Sequence, residues 1–376
     1  MFERPSTGDR ALIVALDFGR ERHDERRQEI SALAASAGAT VVGSVGGRRA
    51  RPDPALFAGS GKVEEIAQLR RDGAADLVIF DHALSGVQQR NLERTLECRV
   101  VDRVSLILDI FAQRARSAEG KLQVELAQLK HMATRLVGGW THLERQKGGI
   151  GLRGPGETQL ETDRRLIAQR VRLLQDRLKR VSRRRATQNR ARHRAAVRTV
   201  ALVGYTNAGK STLFNRLTRA NVYAADQLFA TLDTTLRRVH VPGAQAIVVS
   251  DTVGFIRDLP HDLVAAFSAT LAEAADADLL LHVIDASADN RDEQIEAVDG
   301  LLAEIGAAEV PQIRILNKCD LAGIEAGVER DGCGNISTVR VSAATGTGLA
   351  ELRAALAERF PLEPVFDATA TPAHSG

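Results

Sequence analysis

The segment 204–211 combines two glycines, a lysine and a serine in the pattern G-x-x-x-x-G-K-S. An apolar run at 198–203 precedes it and a helical pattern follows it, so we expect a strand, a loop and a helix in that order. Glycines let backbone N–H groups curl around a phosphate, and the N-terminus of the helix adds a favourable dipole. Lys210 can then contact phosphate oxygens, while the Ser211 hydroxyl can bind Mg²⁺. The spacing predicts a site for a nucleoside triphosphate.

Further polar segments follow predicted strands in the order that a GTP-hydrolysing domain requires. Asp251 follows the apolar run 247–250, where its carboxylate can reach Mg²⁺ through water and the Gly254 amide can contact the γ-phosphate. Asp320 ends the segment 317–320, and its acceptor-only carboxylate matches the N1 and exocyclic amine hydrogens of guanine, a donor pair that adenine lacks. Each segment alone could be an ordinary turn or cap. The ordered set at carboxyl ends of strands predicts a guanine nucleotide site.

Two more segments complete this predicted site. Residues 341–343 close the pocket beneath the base, and residues 229–233 form the first switch. Within the switch, Thr231 is assigned as the mobile ligand of Mg²⁺ and of the γ-phosphate. Thr234 and Thr235 are near enough in sequence to be alternatives.

The residues predicted to contact the nucleotide come from all five segments. They are Gly204, Tyr205, Thr206, Asn207, Ala208, Gly209, Lys210, Ser211, Thr212, Phe229, Ala230, Thr231, Leu232, Asp233, Asp251, Thr252, Val253, Gly254, Asn317, Lys318, Cys319, Asp320, Ser342, Ala343 and Ala344. Among them, Lys210, Thr231 and Gly254 are predicted to act in hydrolysis. Ser211 and Thr231 are predicted to bind Mg²⁺.

The residue after Gly254 bears on the rate of hydrolysis. It is Phe255, followed by Ile256, where Ras-like enzymes carry a glutamine that orients the attacking water. Because phenylalanine neither donates nor accepts a hydrogen bond, we expect slow intrinsic hydrolysis that a partner accelerates. Asn207 is similar to the phosphate-loop asparagine of potassium-dependent GTPases of this superfamily, so a K⁺ site is a further hypothesis.

The first part of the chain alternates short apolar runs with amphipathic stretches. Four apolar runs predict strands, at 11–18, 39–45, 76–80 and 99–102. Three helical patterns lie between them, near 23–37, 61–72 and 86–97. This alternation predicts a small parallel α/β sheet. The motif GSGK at 59–62 lacks the second half of a phosphate-loop pattern, so we assign it to a helix N-terminus rather than to a second nucleotide site.

A different period begins at Leu122. Seven residues step alternately by four and by three and form a heptad seam, namely Leu122, Leu126, Leu129, Ala133, Leu136, Trp140 and Leu143. The spacing resumes after a Gly/Pro-rich loop, with Thr158 and Glu161 as a capping box for the second helix. These helices predict an antiparallel hairpin with a tip loop at 148–156. The glycines of the tip could approach RNA closely, although a simple flexible turn is the alternative.

Charge divides the chain into two unlike halves. Residues 201–376 contain 13 Lys+Arg and 24 Asp+Glu, a net charge of −11, and the totals of 51 and 48 leave 38 and 24 for residues 1–200, a net charge of +14. Between Arg164 and Arg198 there are fourteen basic residues and one acid, Asp176. A solvated helix face is the ordinary explanation, but a run of one sign repels itself and favours a nucleic-acid backbone as partner. The near absence of aromatic residues there favours shape and phosphate contacts with folded nucleic acid.

Composition excludes several classes of protein. The chain of 376 residues has 44% hydrophobic and 26% charged residues, an ordinary globular composition that predicts two or three domains. No apolar run approaches the ~18 residues of a membrane helix, and the N-terminus lacks the apolar segment of a signal peptide. Three cysteines without CxxC spacing indicate neither a disulfide framework nor a zinc site. We therefore expect a cytoplasmic protein with no membrane partner.

These motifs and four further segments resemble the HflX family of ribosome-associated GTPases. The segments are GSGKVEEI at 59–66, SGVQQRNLE at 85–93, DRVSLILDIFAQRARSAEGKLQVELAQLKH at 102–131 and GGIGLRGPGETQLETDRR at 148–165. The resemblance implies an N-terminal α/β subdomain, a long helical hairpin and a Ras-like P-loop GTPase domain, all in the α/β class. We place these at 1–115, 116–197 and 198–362, with a short flexible tail at 363–376. The resemblance also implies GTP, GDP and Mg²⁺ as ligands.

The resemblance further implies a function. Members of the family bind the large ribosomal subunit and its rRNA, their hairpin loop reaches towards the peptidyl transferase centre, and they can split stalled or stress-arrested ribosomes. We accordingly expect a monomer that uses GTP on the large subunit in ribosome splitting, rescue or protein synthesis under stress, with no DNA partner. The alternatives are a GTPase of ribosome biogenesis and one coupled to RNA remodelling or tRNA modification.

Two features depart from the family pattern. The family commonly has Asp-Pro-Thr after the Thr-Leu of the first switch, whereas Asp233 is followed here by Thr234, so we expect a less rigid switch. Some members carry an additional C-terminal domain, whereas here the predicted helix at 349–360 is followed by a short Pro/Ala/Thr tail. Contacts made by that additional domain are therefore not carried over to this chain.

Overall fold

The computed structural model describes residues 8–19, 23–146, 155–194, 197–218, 227–257, 263, 271 and 273–362. Its contacts divide the chain into two compact units. The first unit contains the described parts of Met1–Arg185, Tyr223–Asp233 and Val253–Leu271, and the second contains those of Ala186–Val222, Thr234–Thr252 and Ala272–Gly376. The predicted tail at 363–376 and residues 148–154 of the predicted tip loop lie outside the described residues.

The first unit contains a four-stranded parallel sheet with the strand order β2-β1-β3-β4. The strands are β1 Arg10–Asp17, β2 Thr40–Arg48, β3 Leu77–Phe80 and β4 Arg99–Asp102. The helices are α1 His23–Ser36, α2 Ser60–Asp72, α3 Gly86–Leu96 and α4 Arg103–Arg114. The predicted parallel α/β sheet is confirmed, because each predicted strand and helix lies within a few residues of an observed one. The GSGK motif starts α2, as predicted, with Gly59 at the N-cap.

The core of this unit explains why its strands are apolar runs. Residues 11–16 of β1 are all buried, and so are all four residues of β3. Strands of a parallel sheet that are covered on both faces are apolar throughout and do not alternate. Helix α4 was not predicted, because its buried apolar residues occur in consecutive runs and not at the spacing of three and four that marks a narrow helical stripe. They are Leu106, Ile107, Leu108, Ile110 and Phe111.

Short side chains define where the helices of the first unit begin. Ser85 and Gln88 form a complete capping box at the start of α3. Asp102 caps α4 by accepting a hydrogen bond from the Ser105 N–H at 2.9 Å. The same buried carboxylate accepts from the Leu84 N–H at 3.1 Å and pairs with the Arg135 guanidinium at 2.6 Å. Asp102 therefore connects three segments of the first unit.

Two long helices form the predicted hairpin region, α5 Ala118–Gln146 and α6 Pro155–Arg194. An ion pair between Arg170 and Glu125, at 2.6 Å, joins them. Because α6 begins at Pro155, the predicted tip loop extends two residues too far, and the predicted capping box of Thr158 and Glu161 lies inside the helix. Proline is favourable in the first turn of a helix, since it lacks the N–H that would otherwise have no partner there.

The second unit contains a seven-stranded sheet with the order β10-β11-β9-β8-β5-β7-β6. Its strands are β5 Arg198–Val203, β6 Thr235–Val239, β7 Ile247–Asp251, β8 Leu279–Asp285, β9 Gln312–Asn317, β10 Gly327–Arg330 and β11 Ile336–Arg340. Its helices are α7 Lys210–Thr218, α8 Arg291–Glu304, α9 Cys319–Ala322 and α10 Leu349–Arg359. Strands β6 and β10 at the two edges pair antiparallel, and the pairs between them are parallel. The predicted α/β class is confirmed.

The three cysteines of the chain differ in their exposure to solvent. Cys98 and Cys319 are buried, Cys333 is exposed, and all three are free thiols. Burial raises the pKa of the Cys98 thiol to about 11. Among the described helices, none combines the length and the apolar composition needed to cross a membrane.

We expect Asp102→Ala to lower the free energy of unfolding by about 3 kcal/mol, because it leaves the largely buried Arg135 without its carboxylate and α4 without its cap. The matched control is Asp24→Ala, since the Asp24 side chain is 80% exposed and pairs with Arg27 three residues away. This control should cost less than about 0.5 kcal/mol. Urea unfolding followed by circular dichroism measures both. Equal costs for the two variants would contradict the role assigned to Asp102.

Candidate functional site

The loop between β5 and α7 is held by two glycines that no other residue could replace without strain. Gly204 has φ 146°, and a Cβ added to it would lie 2.1 Å from the carbonyl oxygen of Val283. Gly209 has φ 91°, and an added Cβ would lie 2.2 Å from the Asn317 Nδ2 atom. Between them, Asn207 adopts a left-handed φ of 61°. The loop therefore curls tightly against β8 and β9, as the glycine spacing of the sequence predicts.

Lys210 lies across the inside of this loop. Its ammonium donates hydrogen bonds to the carbonyl oxygens of Gly204, at 3.0 Å, and Tyr205, at 2.7 Å. Burial lowers the pKa of Lys210 to about 8, while the negative charge of Asp251 opposes this shift. A desolvated cation beside the loop backbone is a suitable group to contact phosphate oxygens.

Ser211 and Asp251 meet on the same side of the loop. The Ser211 hydroxyl donates a hydrogen bond to the Asp251 Oδ2 atom at 2.7 Å, and Asp251 is 0% exposed. The neighbouring Thr252 hydroxyl donates to the Leu202 carbonyl oxygen at 2.6 Å, which fixes the end of β7 to β5. Hydroxyl and carboxylate oxygens are the ligands that Mg²⁺ prefers. This pair of oxygens fits the predicted metal.

Asn317 ties the phosphate loop to the segment after β11. Its side chain is 2% exposed, donates to the Ala208 carbonyl oxygen at 2.8 Å and accepts from the Ala343 N–H at 2.9 Å. Both hydrogen bonds are made to backbone atoms of other loops. Asn317 therefore holds the two walls of the pocket together, and the structure brings three of the predicted segments to one place.

The residues after Asn317 have distinct environments. The Lys318 ammonium pairs with the Asp285 carboxylate at 2.6 Å, and Lys318 has φ 61°. Cys319 is buried, and its N–H donates to the Val341 carbonyl oxygen at 3.1 Å. Asp320 is exposed in the first turn of α9. Its carboxylate is thus accessible to a base.

The segment after β11 is also fixed from several sides. Ser342 is fully buried, and its hydroxyl accepts from the Thr345 N–H at 3.2 Å. The Arg216 guanidinium donates to the carbonyl oxygens of Ala343, at 3.0 Å, and of Ala344. Arg216 and Asp285 were not predicted as site residues. Arg216 lies in α7 among residues of a common helical pattern, and no local spacing indicates that it reaches a distant loop.

The predicted residues of 229–233 and 253–254 belong to the first unit, whereas Thr206 and Thr212 belong to the second. Phe229 is 2% exposed, and the Asp233 carboxylate accepts hydrogen bonds from the N–H groups of Arg116 and Ser117 at 2.7 Å. Gly254 is buried there too. Their contacts with a nucleotide stay predictions, as do those of Ala230, Thr231, Leu232 and Val253.

The two alternatives to Thr231 belong to the second unit. Thr235 is the first residue of β6 and pairs in register with Asp251 of β7. Thr234 immediately precedes that strand. The assignment of the first-switch ligand to Thr231 stays a prediction.

His282 is a buried residue near the site that the sequence analysis missed. It lies in β8 and is 1% exposed, among the apolar residues Leu281 and Val283. Burial, and to a smaller extent the positive charges of Arg314 and Lys210, lower the pKa of His282 to about 4. The imidazole is therefore neutral at pH 7, and the contact of 3.7 Å between its Nδ1 atom and Asp299 is not an ion pair there.

Comparison with known proteins identifies relatives of the whole chain. Residues 24–112 match a family described as "GTP-binding GTPase N-terminal", residues 114–192 one described as "GTP-binding GTPase Middle Region", and residues 199–318 one described as "50S ribosome-binding GTPase". The GTPase HflX of Escherichia coli strain K12 is 57% identical over 361 residues, which cover 96% of this chain and 85% of that protein. The GTPase HflX of Magnetococcus marinus is 48% identical and covers 95% of this chain and 84% of its own length.

A solved structure shares the fold. It is described as SsGBP in complex with GDP, and the match covers 94% of this chain and 98% of that one. The TM-score is 0.52 and the sequence identity is 24%. At this identity the likeness shows a common fold.

We expect the second unit to lose stability as the pH falls from about 6.5 towards about 4. The folded pKa of His282 is below its ordinary value of 6.5, so the unfolded chain binds the proton more tightly in this window and acid favours unfolding. The loss should approach about 3 kcal/mol. Urea unfolding at a series of pH values measures it. His282→Gln should flatten the dependence, whereas His240→Gln, at an exposed position, should leave it intact; an unchanged slope in His282→Gln would refute the assignment.

Proposed function

Because the chain belongs to the HflX family of GTPases, we propose that it binds GTP in the second unit and hydrolyses it to GDP and phosphate on the large ribosomal subunit. The observation that carries the proposal is the convergence of Lys210, Ser211 and Asp251 with Asn317 at the carboxyl ends of β5, β7 and β9. In open parallel sheets, this edge is where ligands bind. The phosphate loop, the end of β7 and the end of β9 then supply the phosphate, metal and base contacts.

The phosphate end of the nucleotide would be bound mainly by the backbone of residues 204–211. Lys210 would exchange its two carbonyl partners for phosphate oxygens, and the negative charge would favour its protonated form. Ser211 would bind Mg²⁺ directly and Asp251 would reach it through water, with Thr231 as the predicted ligand of the first switch. The bound ion would withdraw negative charge from the β- and γ-phosphate oxygens.

The base end would be selected by Asp320. Its exposed carboxylate can accept both hydrogen bonds of the guanine edge. Asn317 would act as a scaffold, because its side chain already joins Ala208 and Ala343. Lys318, held by Asp285, would cover the pocket from the side of β8.

Slow hydrolysis without a partner is part of the proposal. Phe255 is 2% exposed and offers no hydrogen-bonding group to a water molecule. A ribosome that orders the two switch segments would help to orient the attacking water, which Phe255 cannot do. The K⁺ site at Asn207 stays a hypothesis from the sequence.

The exposed basic face of α6 supports RNA as the partner. Its described exposed basic residues include Arg172, Arg177, Lys179, Arg180, Arg183 and Arg184. Asp176 is the only acid between Arg164 and Arg198, so these charges are poorly compensated within the helix. Phosphate groups would neutralise them and release counterions, which makes the affinity depend steeply on salt. We propose that the large-subunit rRNA provides these phosphates.

We expect Asp320→Asn to exchange guanine specificity for xanthine specificity. The amide replaces one acceptor by a donor, which no longer matches the N1–H and amine pair of guanine but matches the N1–H and carbonyl of xanthine. GTP affinity should fall at least about 100-fold while XTP binding appears, as measured by calorimetry. Asp292→Asn, whose side chain is 86% exposed in α8, is the matched control and should change neither affinity. Undiminished GTP binding by Asp320→Asn would contradict the assignment.

Sucrose-gradient sedimentation tests the ribosomal partner. With a nonhydrolysable GTP analogue, the protein should sediment with large subunits, and single-turnover hydrolysis should accelerate at least about tenfold when large subunits are added. Small subunits serve as the control and should have little effect. Absence from the large-subunit fraction would reject the proposal. Stronger stimulation by precursor particles than by mature subunits would favour the assembly alternative.

A further inference from the structure

The first-switch segment, residues 227–233, is attached to the first unit at two points. At the first point, the Leu228 N–H donates to the Ser36 hydroxyl at 3.0 Å. Next to it, the ring of Phe229 lies edge-on to that of Phe111, with centroids 4.7 Å apart. Phe229 has φ 56°, a left-handed conformation that is costly for an aromatic residue. The contacts with α1 and α4 must therefore stabilise this turn.

Asp233 forms the second attachment, at the start of α5. One carboxylate oxygen accepts hydrogen bonds from the Arg116 and Ser117 N–H groups, both at 2.7 Å. The other oxygen accepts from the Ser117 hydroxyl at 2.5 Å. The same hydroxyl accepts from the Gly120 N–H at 2.8 Å, so Ser117 caps α5 while it binds Asp233. The dipole of α5 further favours a carboxylate at this end.

Gly120 provides the space for this second attachment. A Cβ added to Gly120 would lie 2.2 Å from the Asp233 Oδ1 atom, far inside normal contact distance. By contrast, a Cβ added to Gly61, near the start of α2, would meet nothing within 4 Å. Glycine is a poor helix former, so its presence in the first turn of α5 weakens the helix. The close approach of the Asp233 carboxylate explains why a residue without a side chain occupies this position despite its cost to the helix.

We propose that Ser117 and Gly120 are positioning residues for GTP hydrolysis, acting through Asp233 on Thr231. This inference rests on the function proposed above. Thr231 lies two residues after Phe229 and two residues before Asp233. The two attachments therefore restrict the conformations of a segment whose threonine must be ordered in the reaction.

The physical reason is preorganisation. Fixing the backbone of one free residue costs about 1–2 kcal/mol in conformational entropy, and a segment attached on both sides has already lost part of that freedom. A reacting group that is displaced by about 1 Å can lose about 100-fold in rate. Loosening the Asp233 attachment should therefore slow the chemical step more than it weakens GTP binding, which the second unit's loop and base segments dominate.

The test uses the full-length protein without ribosomes, in single turnover at saturating GTP. Gly120→Ala places a methyl group against the Asp233 carboxylate, and the matched control Gly61→Ala places one in open space at the start of another helix. Ser117→Ala removes the hydroxyl, whereas Ser117→Thr keeps it. Calorimetry with a nonhydrolysable GTP analogue measures the affinity of each variant, so that rate and binding are separated.

We expect Gly120→Ala and Ser117→Ala to hydrolyse GTP at least about tenfold more slowly, with affinities within about twofold of the unmodified protein. Ser117→Thr and Gly61→Ala should stay within about twofold in both quantities. Equal rates for Gly120→Ala and Gly61→Ala would overturn the proposal, as would a faster rate or a parallel loss of affinity. If the unmodified protein neither binds nor hydrolyses GTP, the proposed function itself fails, and this inference with it.

Discussion

The close approach of the phosphate loop to its own sheet is the constraint on which the pocket depends. No Cβ fits at Gly204, because the carbonyl oxygen of Val283 occupies that space, or at Gly209, because the Asn317 amide does. The loop backbone is thereby fixed to β8 and β9, and Lys210, Ser211 and Asn317 share one rigid frame. Binding energy at such a site comes from fixed backbone dipoles, which need no reorganisation when a phosphate arrives.

Much of the fold and of the pocket could be predicted from the sequence, for a definite physical reason. Strands β5 and β7 are mostly buried and apolar, β9 buries Ile313, Ile315 and Asn317, and β7 and β9 end at the polar residues Asp251 and Asn317 that the chemistry requires. Apolar runs and fixed spacings are local properties that a sequence displays directly. Arg216 and Asp285 escaped prediction because their roles depend on contacts with Ala343 and Lys318, which are distant in sequence.

The boundaries of the two compact units are the feature of the fold that differs most from the domains predicted by local sequence patterns. The sequence motifs assign residues 198–362 to a single domain, whereas contacts group residues 227–233 and 253–257 with the first unit. These segments contain apolar residues such as Phe229, whose ring contacts Phe111. An apolar residue in a sequence shows that a core will bury it, but it does not show which core. The grouping of the switch segments with the N-terminal sheet was therefore visible only in three dimensions.

This grouping attaches the proposed first switch to the start of α5 within the first unit. Helix α5 has 29 residues and so extends about 44 Å, from the contact between Ser117 and Asp233 to Gln146. Any partner that changes the position of α5 changes the environment of the Asp233 carboxylate, and any ligand that orders the first switch acts on the start of α5. Coupling between two binding events is reciprocal, so the proposal requires that an RNA that moves α5 and a nucleotide that orders the first switch change each other's affinity by the same factor.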